Sequence, residues 1–479
     1  MHLLQATPIL LWAAFFLSFE ISITTQSLWS DISSDIFGTQ NEFSGDQTDT
    51  APADTAIRSQ DSDSSEGTTP IIDSREKYTA ASTNTGFEYG KDKIRGVNIG
   101  GWLVTESWLT PTLYRTGNSK IVDEYTFCQY LGREEASKRL RAHWDSFYTE
   151  SDFQAMKSYG LNHVRIPIGY WAFDISGGEP YVQGQYEYLK QAVEWSRRAG
   201  LKVMIDLHGA PGSQNGFDNS GRKGPINWPN DPKNILRTKQ TLAEITKEFS
   251  QAKYGNLEAL NEPAGFANDG GKTLNTAKQF YHDAYDIVRY PNNETLQSDL
   301  LYVVHDSFQP IETWSNSFPS PKYQSVALDT HIYTIFDKIS IEKSDDERVA
   351  TYCAMANSLE KSNQAILTFV GEFAPSPTDC ANSVNHQPSG SRYDGTYTGF
   401  QKIGSCIGKS GSRETFSEEY KLSLGRLFEV QTTVYEKASG WIMWTFKAEN
   451  ADDGSYDAGV KGGWIPKDPT FKAHGNQCN

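Results

Sequence analysis

Eight short apolar segments alternate with longer amphipathic, charged segments from Phe87 to the end of the chain. Short apolar runs separated by helical patterns are typical of a repeated strand–helix unit with a parallel sheet. Eight such units over about 390 residues predict an α/β fold, a (β/α)8 TIM barrel with long loops. The predicted strands are Ile94–Asn98, His163–Ile168, Lys202–His208, Leu257–Asn261, Leu300–His305, Ser325–His331, Ile366–Glu372 and Gly440–Phe446. The predicted helices include Glu134–Phe147, Tyr186–Arg198, Lys233–Phe249 and Ala277–Arg289.

Polar residues collect at the C-terminal ends of these predicted strands. In a (β/α)8 barrel those ends meet on one face, where active sites form. The pattern therefore predicts an active site built from side chains that lie far apart in sequence. The polar or aromatic residues at these ends are Asn98, Arg165, Asp206, His208, Asn261, Glu262, His305, Asp306, Asp329, His331, Tyr333, Glu372, Trp444 and Lys447.

Two glutamates stand out because each directly follows an apolar run. Glu262 follows Leu257–Leu260 within Asn-Glu-Pro, and Glu372 follows Ile366–Val370 within Gly-Glu-Phe. An ionised carboxylate after a buried strand is costly unless it has partners or a chemical role. Two such carboxyls can act as the acid and the nucleophile that cleave a glycosidic bond. The alternative is that each belongs to a buried structural ion pair.

The composition excludes one class of partner and is compatible with another. The net charge of −16 argues against nucleic-acid binding, which needs a basic surface. The chain is rich in aromatic residues, with 12 Trp, 24 Tyr and 24 Phe. Aromatic side chains fill protein cores, and they also stack on the apolar faces of sugar rings.

The first part of the chain differs from the rest. The apolar run Ile9–Phe19 is too short to span a bilayer and suits the core of a signal peptide, which we assign to residues 1–26. Residues 27–87 are acidic and dominated by Ser, Thr, Asp and Gln, so we expect them to be disordered. They would serve as a propeptide, a modified stalk or a solvated spacer. Residues 88–479 form the predicted catalytic domain.

Three further features favour secretion. The five cysteines show no C-x-x-C spacing, and in an oxidising compartment they predict two disulfides and one remaining thiol. Asn293 begins an Asn-Glu-Thr sequon, so we expect N-glycosylation there. No later segment is long and apolar enough for a membrane span, and no hydrophobic tail for a lipid anchor precedes Asn479. We therefore expect a protein that is extracellular or in the cell wall, with no membrane span after processing.

Five motifs carry a family resemblance. They lie at Arg95–Trp102, Val164–Pro167, Asp206–Gly216, Leu260–Pro263 and Gly371–Phe373. Through these motifs residues 88–479 resemble glycoside hydrolase family 5, and within it the secreted exo-β-1,3-glucanases of fungal-type cell walls. The long third motif is the most specific of the five.

The resemblance implies an activity and a mechanism. It implies a retaining, double-displacement hydrolase that releases glucose from the non-reducing ends of β-1,3-glucan, with Glu262 as acid/base and Glu372 as nucleophile. We expect Arg165 and a hydrogen bond from Tyr333 to keep Glu372 ionised, and desolvation and neighbouring negative charge to keep Glu262 protonated. We expect a monomer without a cofactor.

The resemblance also implies roles at the sugar-binding subsites. Asn261 is expected to bond the sugar 2-OH, although a bare Asn could instead cap a turn. His208 and His331 are expected to line the −1 subsite; a metal role is the alternative, but no metal-ligand spacing accompanies these histidines.

Aromatic and polar residues complete the implied pocket. Glu106 is expected to hold sugar hydroxyls, or else to be a surface glutamate. Trp444 is expected to form the floor of the −1 subsite, and Phe217 and Phe336 to clamp the next glucose; packing in the core or in loops is the alternative for all three. The implied rim residues are Asp218, Asn219, Asn385 and Arg392.

The chain departs from the family pattern at two rim positions. Trp108 stands where relatives commonly have Tyr, and Ser389 where they often have Arg. By resemblance Cys353 pairs with Cys478 and Cys380 with Cys406, which leaves Cys128 as a buried thiol. A related β-glucosidase, β-1,6-glucanase or transglycosylase is the alternative enzyme, and an inactive glucan-binding surface protein is the alternative of another class.

Overall fold

The computed structural model describes residues 87–250, 255–291 and 297–478. The predicted signal peptide, all but the last residue of the predicted disordered segment, and the sequon at Asn293 lie outside these residues.

Eight parallel strands close into a barrel in chain order, with the last strand paired to the first. This confirms the predicted (β/α)8 fold. Short strands of this kind must be covered by helices because both faces of a parallel sheet are buried. The strands are β1 Ile94–Asn98, β2 His163–Gly169, β3 Lys202–Gly209, β4 Gly255–Glu258, β5 Leu301–His305, β6 Val326–His331, β7 Leu367–Glu372 and β8 Gly440–Met443.

Two predicted strands run three residues too far. β4 ends at Glu258 rather than Asn261, and β8 ends at Met443 rather than Phe446. The residues beyond each end are as buried as those inside: Leu260 is fully buried and Phe446 is 1% exposed. Apolar burial therefore continues into the loops, whereas the strand ends where pairing with its neighbours stops.

Helices alternate with the strands and cover the barrel. The predicted Glu134–Phe147 is the second half of a longer element that breaks at Gly132, where φ is 74°. A conformation of this kind favours glycine. The helices in the described ranges are α1 Glu124–Ser146, α2 Glu150–Ser158, α3 Gln185–Ala199, α4 Pro232–Phe249, α5 Lys272–Arg289, α6 Lys338–Ile341, α7 Asp345–Ala365, α8 Glu418–Tyr435 and α9 Tyr456–Gly462.

A small hydrophobic cluster closes the N-terminal end of the barrel. It joins residues of six strands, among them Met204 and Phe369, and Phe87 and Tyr89 pack against it. Tyr89 Oη also lies 3.0 Å from Nε2 of His163, the first residue of β2. The barrel is thus filled at this end, and chemistry is left to the opposite face.

Two disulfides cross-link the domain. One joins α7 to the C-terminal segment, and the other closes a loop on that opposite face. Cys353 pairs with Cys478, and Cys380 pairs with Cys406, as the resemblance implies. The second disulfide lies in the longest loop, between β7 and α8. Cys128 is a buried free thiol, as expected. None of the helices in the described residues is long and apolar enough to cross a membrane.

Candidate active site

A cavity of about 250 Å³ lies at the C-terminal end of the barrel, bounded by loops that follow every strand except β2. Most of the predicted site residues line it. Arg165, His208 and Asn261 do not; they are buried directly behind its wall. The predicted residues on the lining are Glu106, Phe217, Asp218, Asn219, Glu262, His331, Tyr333, Phe336, Glu372, Asn385, Arg392 and Trp444.

Glu372 is the last residue of β7 and is held by two donors. Arg165 Nη1 donates to its Oε1 at 2.8 Å, and Tyr333 Oη donates to its Oε2 at 3.0 Å. The side chain is 6% exposed, so both bonds act in a low-dielectric setting. The carboxylate is therefore fixed in place, with one oxygen facing each donor.

Glu262 lies in the loop after β4 and has a left-handed backbone, with φ at 46°. Its Oε1 accepts a hydrogen bond from His331 Nδ1 at 2.7 Å, and its Oε2 accepts one from Asn219 Nδ2 at 3.1 Å. The same His331 nitrogen lies 3.6 Å from Oε2 of Glu372. One imidazole nitrogen therefore touches both glutamates.

Arg165 is the cation behind the site and is fully buried. Besides Glu372 it contacts Glu258 at 2.7 Å, Asp206 at 3.1 Å and Asp329 at 3.9 Å. Burial alone lowers the pKa of Arg165, but these four carboxylates outweigh it and hold the pKa well above its usual range. Burial raises the pKa of Glu258 well above its usual range, although Arg165 opposes the rise.

The pKa shifts of the two glutamates differ from the predicted ones. Burial favours a higher pKa for Glu262, but the hydrogen bond and the charge of His331 reverse that and lower the pKa. The pKa of His331 is well above its usual range because Glu372 and Asp329 outweigh the effect of burial. Burial raises the pKa of Glu372, and His331 and Arg165 counteract that rise. The electrostatics of the site thus favour a proton on His331 over the expected proton on Glu262.

Asn261 and His208 support the site from behind. Asn261 Oδ1 accepts a hydrogen bond from Arg165 at 2.7 Å, so the side chain is bonded across the barrel and makes no local cap. Its Nδ2 is buried and has no partner in the described residues. His208 Nδ1 lies 2.6 Å from Asp206 Oδ2, and its ring stacks on Trp444 at 5.5 Å. These contacts hold Trp444 against the cavity, where it is 5% exposed.

Glu106 is a buried acid of the cavity wall, so the surface alternative is wrong. It is 6% exposed, and Trp108 Nε1 donates to its Oε2 at 2.9 Å. Its Oε1 has no partner among the described residues. Burial and the nearby charges of Asp218 and Glu372 raise the pKa of Glu106 well above its usual range. The unusual Trp108 thus orients this carboxyl.

The predicted clamp residues Phe217 and Phe336 both line the cavity, although each also packs on a neighbour. Phe217 lies 6.4 Å from Phe266, and Phe336 lies 5.6 Å from Tyr333, between ring centroids. Phe308 lies 5.3 Å from Phe266 and lines the same cavity. The aromatic part of the wall is therefore wider than the predicted pair.

The rim residues Asn385 and Arg392 are organised by one acid. Asp379 accepts hydrogen bonds from Asn385 Nδ2 at 2.7 Å and from the Arg392 backbone at 2.8 Å. Arg392 Nη1 donates in turn to Asn385 Oδ1 at 2.5 Å. Both predicted rim residues are therefore buried parts of a rigid loop.

Two groups of side chains in the described ranges bring possible metal-ligand atoms within 4.8 Å of one another, namely Glu262, His305 and His331, and Glu258, Asp329 and His331. His331 belongs to both groups, and because its pKa is raised a metal ion would have to displace a proton from it. Arg165 also faces the second group. The electrostatics of these groups favour proton sharing over cation binding.

The sequence interpretation did not assign a role to Glu258, Phe266, Phe308 or His386. Glu258 had a signal, because it is the charged residue within the otherwise apolar run Leu257–Leu260. The other three lie in loops, and their place on the cavity depends on loop conformation. No pattern in the sequence marks them.

Comparisons with known proteins point to one family. A family model described as cellulase, glycosyl hydrolase family 5, matches residues 128–393. A probable glucan 1,3-beta-glucosidase A of Aspergillus niger is 42% identical over 402 residues, covering 83% of this chain and 92% of that protein. The glucan 1,3-beta-glucosidase of Pichia angusta is 40% identical, covering 82% and 90%. Glucan 1,3-beta-glucosidase 1 of Schizosaccharomyces pombe is 36% identical, covering 84% and 94%.

A solved structure supports the fold. Rutinosidase from Aspergillus niger superposes with a TM-score of 0.62 at 19% identity, covering 79% of this chain and 99% of that one. The barrel and its buried glutamate pair define a glycosidase of the (β/α)8 class. The chain belongs to glycosyl hydrolase family 5.

Proposed function

We propose that this chain is a retaining exo-β-1,3-glucosidase that releases glucose from the non-reducing ends of β-1,3-glucan. The observation that carries this proposal is the pair Glu262 and Glu372, each held by separate donors and both in contact with His331. The relatives named glucan 1,3-beta-glucosidases support the substrate class.

The reaction proceeds in two displacements. Glu372, oriented by Arg165 and Tyr333, attacks the anomeric carbon while Glu262 protonates the leaving oxygen. A covalent glucosyl–Glu372 intermediate forms. Glu262 then takes a proton from water, the water attacks the same carbon, and β-glucose leaves.

His331 supplies the proton that Glu262 needs. The raised pKa of His331 and the lowered pKa of Glu262 favour the proton on Nδ1 of His331, which lies 2.7 Å from Glu262 Oε1. A bound sugar removes water from the pair, and a drier setting favours a neutral acid and a neutral imidazole over an ion pair. The proton therefore moves to Glu262 as substrate fills the cavity.

The spacing of the two acids supports retention. His331 Nδ1 lies 2.7 Å from one carboxylate oxygen and 3.6 Å from the other, so the acids are close neighbours. Retaining glycosidases have carboxyls about 5–5.5 Å apart, whereas inverting ones are wider to admit a water molecule.

The shape of the cavity supports action at chain ends. Loops after seven of the eight strands contribute to its wall, whereas a groove for an internal chain segment would need two open sides. Glu106 Oε1 in the cavity wall and Asn261 Nδ2 directly behind it are polar atoms without protein partners in the described residues, and they suit sugar hydroxyls. Trp444 offers an apolar surface for the sugar ring.

The location and the domain arrangement are part of the same proposal. Two disulfides are favoured by an oxidising compartment, which supports secretion. We assign residues 1–26 to a signal peptide, residues 27–87 to an acidic spacer or propeptide and residues 88–479 to the catalytic domain, acting as a monomer. N-terminal sequencing and sedimentation of the secreted protein test these assignments.

A time course on laminarin with anomer-resolved NMR tests the activity. Early release of β-glucose as the sole small product supports a retaining exo enzyme. Initial α-glucose would refute retention, and a ladder of short oligosaccharides would refute exo action. Longer products formed from added laminaribiose would favour transglycosylation, which the aromatic wall at Phe217 and Phe336 makes the second candidate.

A further inference from the structure

The loop between β7 and α8 is rigid where it forms the cavity wall. The disulfide Cys380–Cys406 closes it at its base. Asp379 accepts hydrogen bonds from Ser391, Asn385 and the backbone of Arg392. Side chains on this loop are therefore held in place before substrate binds.

His386 is the residue that this loop brings to the clamp. Its Nδ1 lies 2.5 Å from Asp218 Oδ1, and its ring stacks on Phe217 with centroids 5.4 Å apart and planes 21° apart. It lines the cavity, and its side chain is 26% exposed. His386 thus touches both an acid and an aromatic ring of the cavity wall.

The backbone of His386 has an unusual conformation that surrounding hydrogen bonds maintain. Its φ is 65°, a left-handed conformation that costs energy in a residue other than glycine. The turn is closed by hydrogen bonds from His386 N to Ser383 O at 3.0 Å and from Ser389 N to His386 O at 2.8 Å. Lys223 Nζ also bonds the next carbonyl, of Gln387, at 3.1 Å. The surrounding contacts therefore hold the imidazole against Phe217.

The bond to Asp218 orients the free edge of the imidazole. With Nδ1 engaged by Asp218, no hydrogen bond joins Nε2 to any other residue that the structure describes. Asp218 is 4% exposed, and its second oxygen, Oδ2, is buried without a partner in the same residues. Two polar atoms thus remain available beside the clamp ring.

We propose that His386 determines specificity at the subsite next to the cleaved bond, where it fixes the face of Phe217 and hydrogen-bonds a hydroxyl of the second glucose unit of a β-1,3-glucan. This inference rests on the proposed function. The imidazole acts on the leaving-group side, so it governs oligosaccharides and leaves the reacting glucose unaffected. Ring stacking and one hydrogen bond supply this preference together.

The test compares two substrates in the variant His386→Gly. Glycine adopts the φ of 65° without strain, so the loop is retained while the ring is removed. β-D-Glucosyl fluoride occupies only the reacting subsite, whereas laminaritriose fills the next one as well. Ser383→Gly is the matched control, because Ser383 lies in the same loop with φ at 69° and is not on the cavity lining.

We expect His386→Gly to lower kcat/KM for laminaritriose by about tenfold and to change that for the fluoride by less than about twofold. Ser383→Gly should leave both values unchanged. Equal losses on both substrates, or no loss on laminaritriose, would overturn the proposal. His386→Asn, which tolerates the same backbone and keeps a donor near Asp218, should fall between the parent and the glycine variant.

A different experimental result is expected if the proposed function itself is wrong. The parent enzyme would then hydrolyse neither laminaritriose nor laminarin, whatever residue stands at position 386. A normal parent rate on laminaritriose with an unchanged His386→Gly variant would remove only the present inference.

Discussion

Arg165 Nη1 lies 2.8 Å from Oε1 of Glu372, across 207 positions of the chain. The charge of each of these buried side chains compensates that of the other. A buried guanidinium without a carboxylate and a buried carboxylate without a cation are both costly. Arg165 also contacts Glu258, Asp206 and Asp329. A single guanidinium therefore positions acidic side chains from four strands.

Loss of this cation should harm both folding and turnover. In Arg165→Met the four acids lose their common partner, and we expect the free energy of unfolding to fall by about 3–5 kcal/mol. Urea unfolding measures the loss. Arg198→Met is the matched control, because Arg198 is 44% exposed and its ion pairs in the described part of the chain are with the surface glutamates Glu150 and Glu194. Equal stability of the two variants would contradict a central role for Arg165.

Removal of Glu372 should abolish turnover and reveal the nucleophile. We expect Glu372→Ala to lower kcat by about 10⁴-fold or more, because no covalent intermediate can form. Azide should restore turnover and give the α-glucosyl azide, by a single inversion. Glu262→Ala with azide and an activated glucoside should instead give the β-azide, by two inversions.

The exposed Glu418 provides the control for this experiment. Its side chain is 86% exposed on α8, so Glu418→Ala should keep full activity. Full activity in Glu372→Ala, or a β-azide from that variant, would mean that Glu372 is not the nucleophile.

The proton held by His331 predicts a shift in pH dependence. Glu372 and Asp329 hold the pKa of His331 well above its usual range, so the Glu262–His331 pair keeps its proton to high pH. In His331→Gln only the carboxyl of Glu262 can hold that proton, and a carboxyl holds it less tightly. The alkaline limb of kcat/KM should therefore move to lower pH, by about one unit or more.

His282→Gln serves as the control for the pH profile, because His282 lies on α5 and contacts Tyr323 outside the cavity. Its profile should match that of the parent. An alkaline limb that stays in place in His331→Gln would show that the proton of the acid step does not come from this pair.

The buried carboxyl of Asp306 should make the free energy of unfolding depend on pH. Burial raises its pKa from 3.8 to about 7, so the folded state binds a proton that the unfolded state has already lost between pH 4 and 7. The stability linked to this proton is complete below about pH 4 and is lost as pH rises through 7. The loss reaches about 4 kcal/mol at most.

Asp306→Asn should flatten this slope. The amide is neutral at every pH, and its oxygen can still accept the bond from Phe308 N. Urea unfolding at pH 4.5 and 7.5 measures the difference between variant and parent. Asp346→Asn, at a side chain that is 83% exposed, should follow the parent. A slope in Asp306→Asn equal to that of the parent would contradict the raised pKa.

The sequence predicted the architecture well because its signals are local. Apolar runs and helical patterns located all eight strands. Three of the four named helices lie within observed ones, and the fourth, Glu134–Phe147, runs one residue past the end of α1. The pattern failed at the ends of β4 and β8, where buried residues such as Leu260 continue past the last paired residue. Hydrophobicity reports burial, and burial does not stop where strand pairing stops.

The amino-acid sequence by itself determined the barrel and the face that carries the site, since parallel strands bring their C-terminal ends together whatever the loops do. It also marked Glu262 and Glu372 as acids that follow buried segments. Only the tertiary structure decided where the proton lies and that His386 lies on Phe217. Those facts depend on distances of a few ångströms between residues that are far apart in sequence, 69 positions for Glu262 and His331 and 169 for Phe217 and His386, which no local pattern encodes.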